Sequence, residues 1–433
     1  MKNFISIPLI GILFFACNSK NQETTEKTEH SIINLSENVT EVAQLPLSDA
    51  VEELEIVPLE TTDESLINDL TLIEVTDEFI FIYQRKNSEI LRFARNGKFL
   101  NKIGRKGQGP GEYTYISSLQ IDENKGEVYA ITTANGVLVY DFEGNFKRQI
   151  IDHTTLKKYS SSITNIQYLL SNDHFFYTQT LPYFKPVTED SIWSVTVVDN
   201  QFQIKNTFCN PAYKEQIETI NENLVGKSNN YLTDYPISMD SYHNEVTLKY
   251  PDTDTIYIFD QATQQLKPQF TIYSNEPKGE YEKTHLWIKE REAFNYLSVY
   301  SYYPSKEFIY LVGSKSDEIY TFAFNKTNGT VKLHKKQSSI SETKMPWNAT
   351  YRRIDRPFIL SNDICGGDFQ IRYRSNGKYW IDIQALNYEN YMVDTERIAS
   401  SAVKNEQDKQ TLLDTFKQLN EDSNPVLLIA TLK

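Results

Sequence analysis

The stretch GEVYAITTANGVLVYDFEGNFKRQI, residues 126–150, decides the fold prediction. EVYAIT and GVLVYD are short runs rich in β-branched and aromatic residues, which is typical of β-strands. The polar residues between them predict a hairpin turn, and Glu143-Gly144 predicts a second turn before a third strand, FKRQI. Consecutive short strands joined by tight turns indicate an all-β protein.

One part of this stretch, a polar pair followed by alternating apolar residues, recurs along the chain. The copies are NSEILRF from Asn87, ANGVLVY from Ala134, EDSIWSV from Glu189, TDTIYIF from Thr253, SDEIYTF from Ser316 and, more faintly, NGKYWIDI from Asn376. Their spacing of about fifty to somewhat over sixty residues fits one four-stranded antiparallel blade per copy. The prediction is a six-bladed β-propeller. Because the sixth copy is the faintest, five and seven blades are the alternatives.

Two segments carry a resemblance to a known family. Residues 126–150 resemble an NHL-type propeller repeat, and IGRKGQGPGEYTYISSLQID, residues 103–122, resembles the connection between blades in that family. The whole chain resembles the six-bladed β-propeller lipoproteins of Bacteroidetes. This resemblance implies a cell-envelope propeller and gives no substrate class.

Both ends of the predicted propeller are strand-like. ELEIVPLE (residues 53–60) and VLLIATLK (residues 426–433) are expected to complete one blade together, which closes the ring and removes free sheet edges. Before the last strand, residues 408–425 carry apolar residues at helical spacing. They predict one short C-terminal helix that packs on a blade.

The N-terminus reads as a targeting segment. Residues 1–16 are predicted to form a lipoprotein signal peptide, because their apolar run is too short to span a bilayer and the Ala16-Cys17 junction resembles a bacterial lipobox. Cys17 is then the lipidated residue, residues 17–31 are a polar tether, and residues 32–433 are the propeller. The expected location is the cell envelope, with the lipid in the outer membrane.

Composition excludes several classes of function. The net charge of −14 argues against nucleic acid as a partner. The sequence contains no phosphate-loop, HExxH, GxSxG or EF-hand motif, so no cofactor, metal or catalytic residue is assigned. Whether Cys209 and Cys365 pair is left open, since two cysteines are no disulfide framework.

The glycine-rich GRKGQGPGEY segment, residues 104–113, suggests a phosphate loop, but a second strand follows it where a nucleotide site needs a helix. It is better interpreted as the joint between two blades. In an antiparallel blade this joint lies on the same face as the turns between second and third strands. Long insertions collect there also, and we call this side the insertion-bearing face. Its candidate ligand-binding residues are Arg105, Gln108, Glu112, Tyr183, Phe184, Trp287, Trp347 and Tyr351.

Two classes of function fit a lipid-anchored propeller. The first is a ligand-binding or scaffold protein that holds a glycan, a peptide or an envelope protein on the insertion-bearing face. The alternative is a propeller enzyme, such as a lyase, lactonase or glycosidase, with polar residues of the innermost strands converging at the channel mouth. The innermost-strand candidates LTLIEV, SLQID and LSVYSYY are mostly apolar and contain no His, so the binding protein is favoured.

Overall fold

A computed structural model describes residues 31–132, 136–151, 163–170, 174–179, 188, 195–199, 201, 203–209, 217–223, 238–242, 245–250, 253–276, 296–338, 340–344, 350–354 and 357–433. The protein is an all-β propeller with mainly antiparallel four-stranded blades, as predicted. The predicted signal peptide, Cys17 and the tether up to residue 30 lie outside the described residues.

Three strands precede the first blade, and each joins a sheet that is completed much later in the sequence. They are β1 (Ser31–Asn34), β2 (Val39–Glu41) and β3 (Val51–Pro58).

Five blades follow, each made of four consecutive antiparallel strands. Blade 1 contains β4 (Leu72–Val75), β5 (Phe79–Gln84), β6 (Glu89–Ala94) and β7 (Phe99–Ile103). Blade 2 contains β8 (Ile116–Asp122), β9 (Glu127–Thr132), β10 (Gly136–Asp141) and β11 (Phe146–Ile151). Blade 3 contains β12 (Ile163–Leu170), β13 (His174–Gln179), β14 (Val195–Val198) and β15 (Ile204–Phe208). Blade 4 contains β16 (Ser238–Tyr242), β17 (Glu245–Lys249), β18 (Thr255–Asp260) and β19 (Gln265–Tyr273). Blade 5 contains β20 (Ser298–Pro304), β21 (Phe308–Lys315), β22 (Glu318–Asn325) and β23 (Val331–Gln337).

The rest of the chain forms two small hairpins, one further sheet and short helices. The hairpins pair β24 (Ile340–Lys344) with β25 (Thr350–Ile354), and β26 (Ile359–Ser361) with β27 (Asp368–Gln370). The composite sheet has the order β28 (Tyr373–Ser375), β29 (Tyr379–Gln384), β30 (Val426–Leu432) and then β3. The helices are α1 (Ile217–Asn223), α2 (Thr395–Ser400) and α3 (Glu406–Gln418).

The composite sheet confirms the predicted pairing of the two ends of the domain. β3 runs antiparallel to β30, with Val57 opposite Leu427 and Leu54 opposite Ala430. The prediction of six blades is met only in part, because five blades are built from consecutive strands. The faint sixth repeat, NGKYWIDI, lies in the second strand of the composite sheet and not in a third strand. The reason is that the third and fourth strands of this sheet come from the two ends of the domain.

Apolar side chains fill the space between neighbouring sheets. Separate buried clusters join blade 1 to blade 2, blade 3 to blade 4, blade 4 to blade 5, blade 5 to the composite sheet, and the composite sheet to blade 1. The innermost strands of blades 2 and 3 also lie side by side. Strands buried on both faces read as near-continuous apolar runs, as in β5 and β30, since each face packs on a neighbour.

The N-terminal strands add a feature that the sequence analysis did not predict. β1 pairs in parallel with β19, and β2 pairs in parallel with β23, so blades 4 and 5 each have a fifth, outermost strand. Ile33 and Leu35 are buried in the seam between these two blades. Residues 31–45 therefore act as a strap across blades 4 and 5.

The predicted C-terminal helix is present as α3, although it ends at Gln418 and not near Pro425. Asn405 caps its N-terminus, since the Asn405 side chain accepts a hydrogen bond from the Gln407 N–H. Leu412 and Phe416 are buried in the cluster between blade 5 and the composite sheet. Among the described residues, no helix is long and apolar enough to cross a membrane.

Candidate functional site

The predicted blade joint is a compact, self-supporting loop between β7 and β8. Glu112 organises it, because its Oε2 accepts a hydrogen bond from the Gly109 N–H at 2.8 Å and its Oε1 lies 2.6 Å from Arg105 Nε. The Gly109 N–H and the charge of Arg105 hold the pKa of Glu112 below its usual value. Glu112 thus has a structural task, whereas Arg105 (side chain 80% exposed) and Gln108 lie open to solvent.

Two tyrosines fix this loop to the blades. The Tyr113 hydroxyl donates to the Ile103 carbonyl at 2.8 Å, and the Tyr140 hydroxyl donates to the Gly111 carbonyl at 3.0 Å. The two rings meet edge to face at a centroid distance of 6.1 Å. The interpretation of the glycines as a joint between blades 1 and 2 is therefore supported.

The joint contacts the turn between the second and third strands of blade 1. The Ser88 hydroxyl donates to the Thr114 carbonyl at 2.9 Å, and the Arg85 guanidinium lies over the Tyr115 ring at 5.1 Å. Turn and joint thus share one face, as the antiparallel alternation predicts. Their exposed basic side chains are those of Arg85, Lys86, Arg105 and Lys106.

The positions of the predicted aromatic contacts are not tested by the described part of the chain. Tyr183, Phe184, Trp287 and Trp347 lie outside them. Tyr351 lies in β25, where its backbone pairs with Thr343, and its side chain is outside the description. Their ligand-binding role remains a prediction.

The structure shows a polar column along the innermost strand β28 that the sequence analysis missed. Arg374 reaches across to blade 4, where its Nη1 lies 2.7 Å from Asp240 Oδ2, and its guanidinium stacks over the Tyr303 ring at 4.8 Å. Burial raises the pKa of Asp240, and the charge of Arg374 opposes this shift. The ion pair joins the composite sheet to blade 4, and the stacking on Tyr303 of β20 adds a contact with blade 5.

A second polar contact lies at the end of β28 that is away from the insertion-bearing face. The Ser375 hydroxyl donates to Glu74 Oε2 at 2.6 Å, and the Val75 N–H donates to the Ser375 hydroxyl oxygen at 2.8 Å. Burial raises the pKa of Glu74 to about 8, and the Ser375 hydrogen bond offsets part of this shift. A Cβ on the neighbouring Gly377 would lie 2.5 Å from the Ser241 carbonyl oxygen, so this turn packs directly on blade 4.

A third contact lies at the other end of β28, on the insertion-bearing side. Arg372 Nε donates to Asp382 Oδ1 at 3.1 Å, and the guanidinium lies over the Tyr391 ring at 4.7 Å. Burial raises the pKa of Asp382 to about 6, and the charge of Arg372 opposes the shift.

The sequence held a signal for this column. In IRYRS, residues 371–375, Arg372 and Arg374 occupy alternate positions of a strand and so point to the same side. Two arginines on one face of an inner strand need buried acidic partners or a ligand. The partners Asp240 and Asp382 belong to β16 and β29, and no local motif predicts that they meet Arg374 and Arg372.

The cysteines and the acidic residues offer no metal site in the described part of the chain. Cys209 and Cys365 are not joined by a disulfide bond, which answers the question that the sequence left open. Burial raises the pKa of Cys365 to about 12, which makes it an unreactive core residue. The described residues contain no group of three or more His, Cys, Asp or Glu side chains placed to hold a metal ion.

Comparison with known proteins identifies the family of the chain. Residues 30–431 match the family described as "Domain of unknown function (DUF4934)", and the chain belongs to that family. The match is thus to DUF4934, and the likeness to NHL repeats remains a prediction. No curated protein matches the sequence.

A solved structure shares the fold at low sequence identity. A protein described as exported, from Bacteroides fragilis NCTC 9343, is 20% identical, with a TM-score of 0.57 over 93% of this chain and 100% of its own. A member of the DUF4221 family from Bacteroides vulgatus ATCC 8482 is 11% identical, with a TM-score of 0.44 over 71% of this chain and 98% of its own.

Proposed function

We propose that this member of the DUF4934 family is a lipid-anchored β-propeller of the cell envelope that binds a ligand through its insertion-bearing face. The observation that carries this proposal is the surface formed by the turn at residues 85–88 and the joint at residues 104–115. Hydrogen bonds hold this surface rigid, while Arg105 and Gln108 remain exposed on it. Exposed side chains on loops that a rigid scaffold fixes are typical of binding sites.

The ring of the proposed molecule has six blades, with the composite sheet as the sixth. Its support is that the composite sheet packs on blade 5 through one buried cluster and on blade 1 through another. Strands from both ends of the domain then close the ring, so that the first and last sheets are held together.

The expected ligand is a glycan, a peptide or an envelope protein. Tyr183, Phe184, Trp287, Trp347 and Tyr351 are the proposed aromatic contacts, because large aromatic side chains on insertions serve as anchors for ligands. They are expected on the same face as the basic side chains of the blade 1 turn and joint.

The proposed anchor is an acyl group on Cys17, with residues 17–31 as the tether and the outer membrane as the location. The Bacteroides fragilis protein of similar fold is likewise described as exported. Replacing Cys17 by Ala is expected to release a folded protein from the membrane fraction to the soluble fraction of the periplasm. Unchanged partitioning would reject the lipid anchor.

A ligand screen by thermal unfolding tests the binding role. The soluble Cys17→Ala variant is melted with glycans and peptides, each with and without calcium. A ligand at a hundredfold excess over its Kd should add about 2.7 kcal/mol to the free energy of unfolding. If no glycan or peptide raises the melting temperature, binding of a small ligand is rejected and an envelope protein becomes the only expected partner.

One observation favours the enzyme alternative. Glu74, Asp240 and Arg374 lie on innermost strands, and Glu74 has a pKa of about 8, which suits a general acid at neutral pH. All three already have protein partners, so we rank catalysis second. If a ligand from the screen is turned over, Glu74→Gln should abolish turnover and retain binding. Unchanged turnover in this variant would exclude Glu74 as the acid.

A further inference from the structure

Arg372 is positioned more tightly than an ordinary surface arginine. It directly precedes the innermost strand β28, and its backbone N–H donates to the Ile381 carbonyl at 3.0 Å. Its side chain is only 21% exposed. The residue therefore sits at the inner edge of the composite sheet, at the end of the channel that belongs to the insertion-bearing face.

Two neighbours fix the plane of its guanidinium. Asp382 accepts the Nε–H at 3.1 Å, and the Tyr391 ring covers one face at 4.7 Å. Asp382 is itself held, because its Oδ1 accepts the Ile383 N–H at 2.8 Å and its Oδ2 lies 3.4 Å from Gln384 Nε2. The arginine is thus supported by groups that are themselves anchored, which keeps the cost of ordering it low when a ligand binds.

The Nη1 and Nη2 edge of this guanidinium is available to a ligand. Within the described part of the chain, neither Nη1 nor Nη2 of Arg372 makes a hydrogen bond or ion pair. Arg374 and Arg148 differ, since both terminal nitrogens of each donate to protein acceptors. An oriented edge with two parallel N–H donors matches the two oxygens of a carboxylate, sulfate or phosphate group.

The basic turn of blade 1 and the acidic Asp69 lie on this side of the molecule. The Tyr373 hydroxyl donates to the Leu70 carbonyl at 2.7 Å, and the adjacent Asp69 carboxylate accepts the backbone N–H groups of Arg85 and Lys86. The basic turn of blade 1 thus lies next to the start of β28. Arg85 and Lys86 thus add two exposed basic side chains to the face on which Arg372 lies, beside the acidic Asp69.

We propose that Arg372 is an oxyanion-binding residue, which takes a carboxylate, sulfate or phosphate group of the ligand through its Nη1 and Nη2 edge. This inference rests on the proposed binding function and adds the chemical class of the ligand. Arg372 contacts the ligand, whereas Asp382 and Tyr391 are positioning residues that hold its guanidinium.

The test titrates the full chain with three probes that separate the sources of the oxyanion. These are trigalacturonate, inorganic sulfate and inorganic phosphate, each compared with sodium chloride at equal ionic strength. At least one probe is expected to bind saturably, and Arg372→Ala should weaken its Kd ten- to a hundredfold. Arg397→Ala is the matched control, since it removes another arginine paired with an aspartate, Asp368, and should leave Kd unchanged.

Two further variants separate ligand contact from a structural role. Arg372→Lys keeps the charge without the fork and should recover only part of the affinity, while Tyr391→Phe keeps the stacked ring and should bind like the native protein. Unchanged probe affinity in a folded Arg372→Ala protein would overturn the inference. A neutral glycan or peptide that binds equally to Arg372→Ala, with no probe binding, would overturn it and leave the proposed function standing. If no probe, glycan or peptide binds, both the inference and the small-ligand function fail.

Discussion

At the scale of single residues, the contact between Arg374 and Asp240 is the one whose loss should cost most. It joins two sheets that are not neighbours, and the Asp240 side chain is only 5% exposed. Arg374→Met leaves this carboxylate without its partner and should lower the free energy of unfolding by about 3 kcal/mol, because an unpaired buried charge is costly. Urea unfolding at pH 7 measures the change.

The matched control is Arg397→Met, which breaks the exposed pair with Asp368 and should cost less than about 1 kcal/mol. The double variant Arg374→Met with Asp240→Leu should regain part of the loss, since it removes the unpaired charge. Equal losses for Arg374→Met and Arg397→Met would show that the cross-channel pair has no special weight.

Glu74 predicts a pH dependence of stability. Its pKa is about 8 in the folded protein against 4.5 for the ordinary carboxyl group, so the folded state holds the proton more tightly than the unfolded state. The stability that this proton contributes is fully present below pH 4.5 and is lost as pH rises towards 8. Comparison of melting temperatures at pH 6 and pH 8 measures this loss.

Glu74→Gln mimics the protonated acid and cannot lose a proton. The melting temperature of this variant should therefore fall less between pH 6 and pH 8 than that of the native protein. An equal fall in both proteins would mean that Glu74 is ionised throughout this range.

At the scale of single elements, the joint between blades 1 and 2 depends on a glycine. Gly111 has φ +71°, and a Cβ there would lie 2.4 Å from Phe146 Cγ. Gly111→Ala should thus cost both backbone strain and a steric clash. Gly126→Ala is the control, because Gly126 has φ +62° and nothing within 4 Å of a Cβ.

Gly111→Ala should lower the free energy of unfolding by about 2 kcal/mol more than Gly126→Ala, since only the clash differs between them. Chemical unfolding of both variants gives this difference. Equal costs would show that the joint yields to the added methyl group.

Two adjacent residues of the N-terminal strap test how much the strap contributes to stability. Ile33 is fully buried between blades 4 and 5, while Ile32 is 64% exposed. Ile33→Ala should lower the free energy of unfolding by about 3 kcal/mol, because it opens a cavity in the seam, and Ile32→Ala should stay within about 0.5 kcal/mol. Thermal and urea unfolding test the pair, and a small effect at Ile33 would mean that the strap detaches at little cost.

The strap marks a limit of prediction from sequence. Ser31–Asn34 and Val39–Glu41 are short and pair in parallel with strands more than two hundred residues away, so no local period or turn signal announces them. By contrast, VLLIATLK was recognisable as a strand because it is a continuous apolar run bounded by Pro425. ELEIVPLE is predicted to pair with it because the two segments lie at the two ends of the repeated region.

At the scale of the whole molecule, the architecture could be predicted because the repeats impose it. Copies of one strand motif at regular spacing predict blades, and five blades of consecutive strands are what the structure contains. The composite sheet obscured the count, since NGKYWIDI resembles the third-strand motif and yet occupies the second position. Exposed Arg105 and Gln108 could be placed on their face by strand alternation alone.

The contacts of the polar column along β28 could not be predicted from the sequence repeats. Arg374 and Asp240 are far apart in sequence, and only the closed arrangement of sheets brings β28 and β16 to the same channel. The same applies to Glu74 and Ser375, which meet across the seam between blade 1 and the composite sheet. Periodicity identifies which residues lie on each face of a strand. Which other strand packs against that face is decided by the arrangement of the sheets around the channel.

Hydrogen–deuterium exchange of the full chain, with and without a ligand that stabilises it, tests the central claim that function resides on the insertion-bearing face. Amide exchange is expected to slow at residues 85–88, 104–115 and 370–374 on binding, because the turn, the joint and the start of β28 share that face. Protection confined to the turns at residues 76–78 and 376–378, at the other end of the innermost strands, would contradict it.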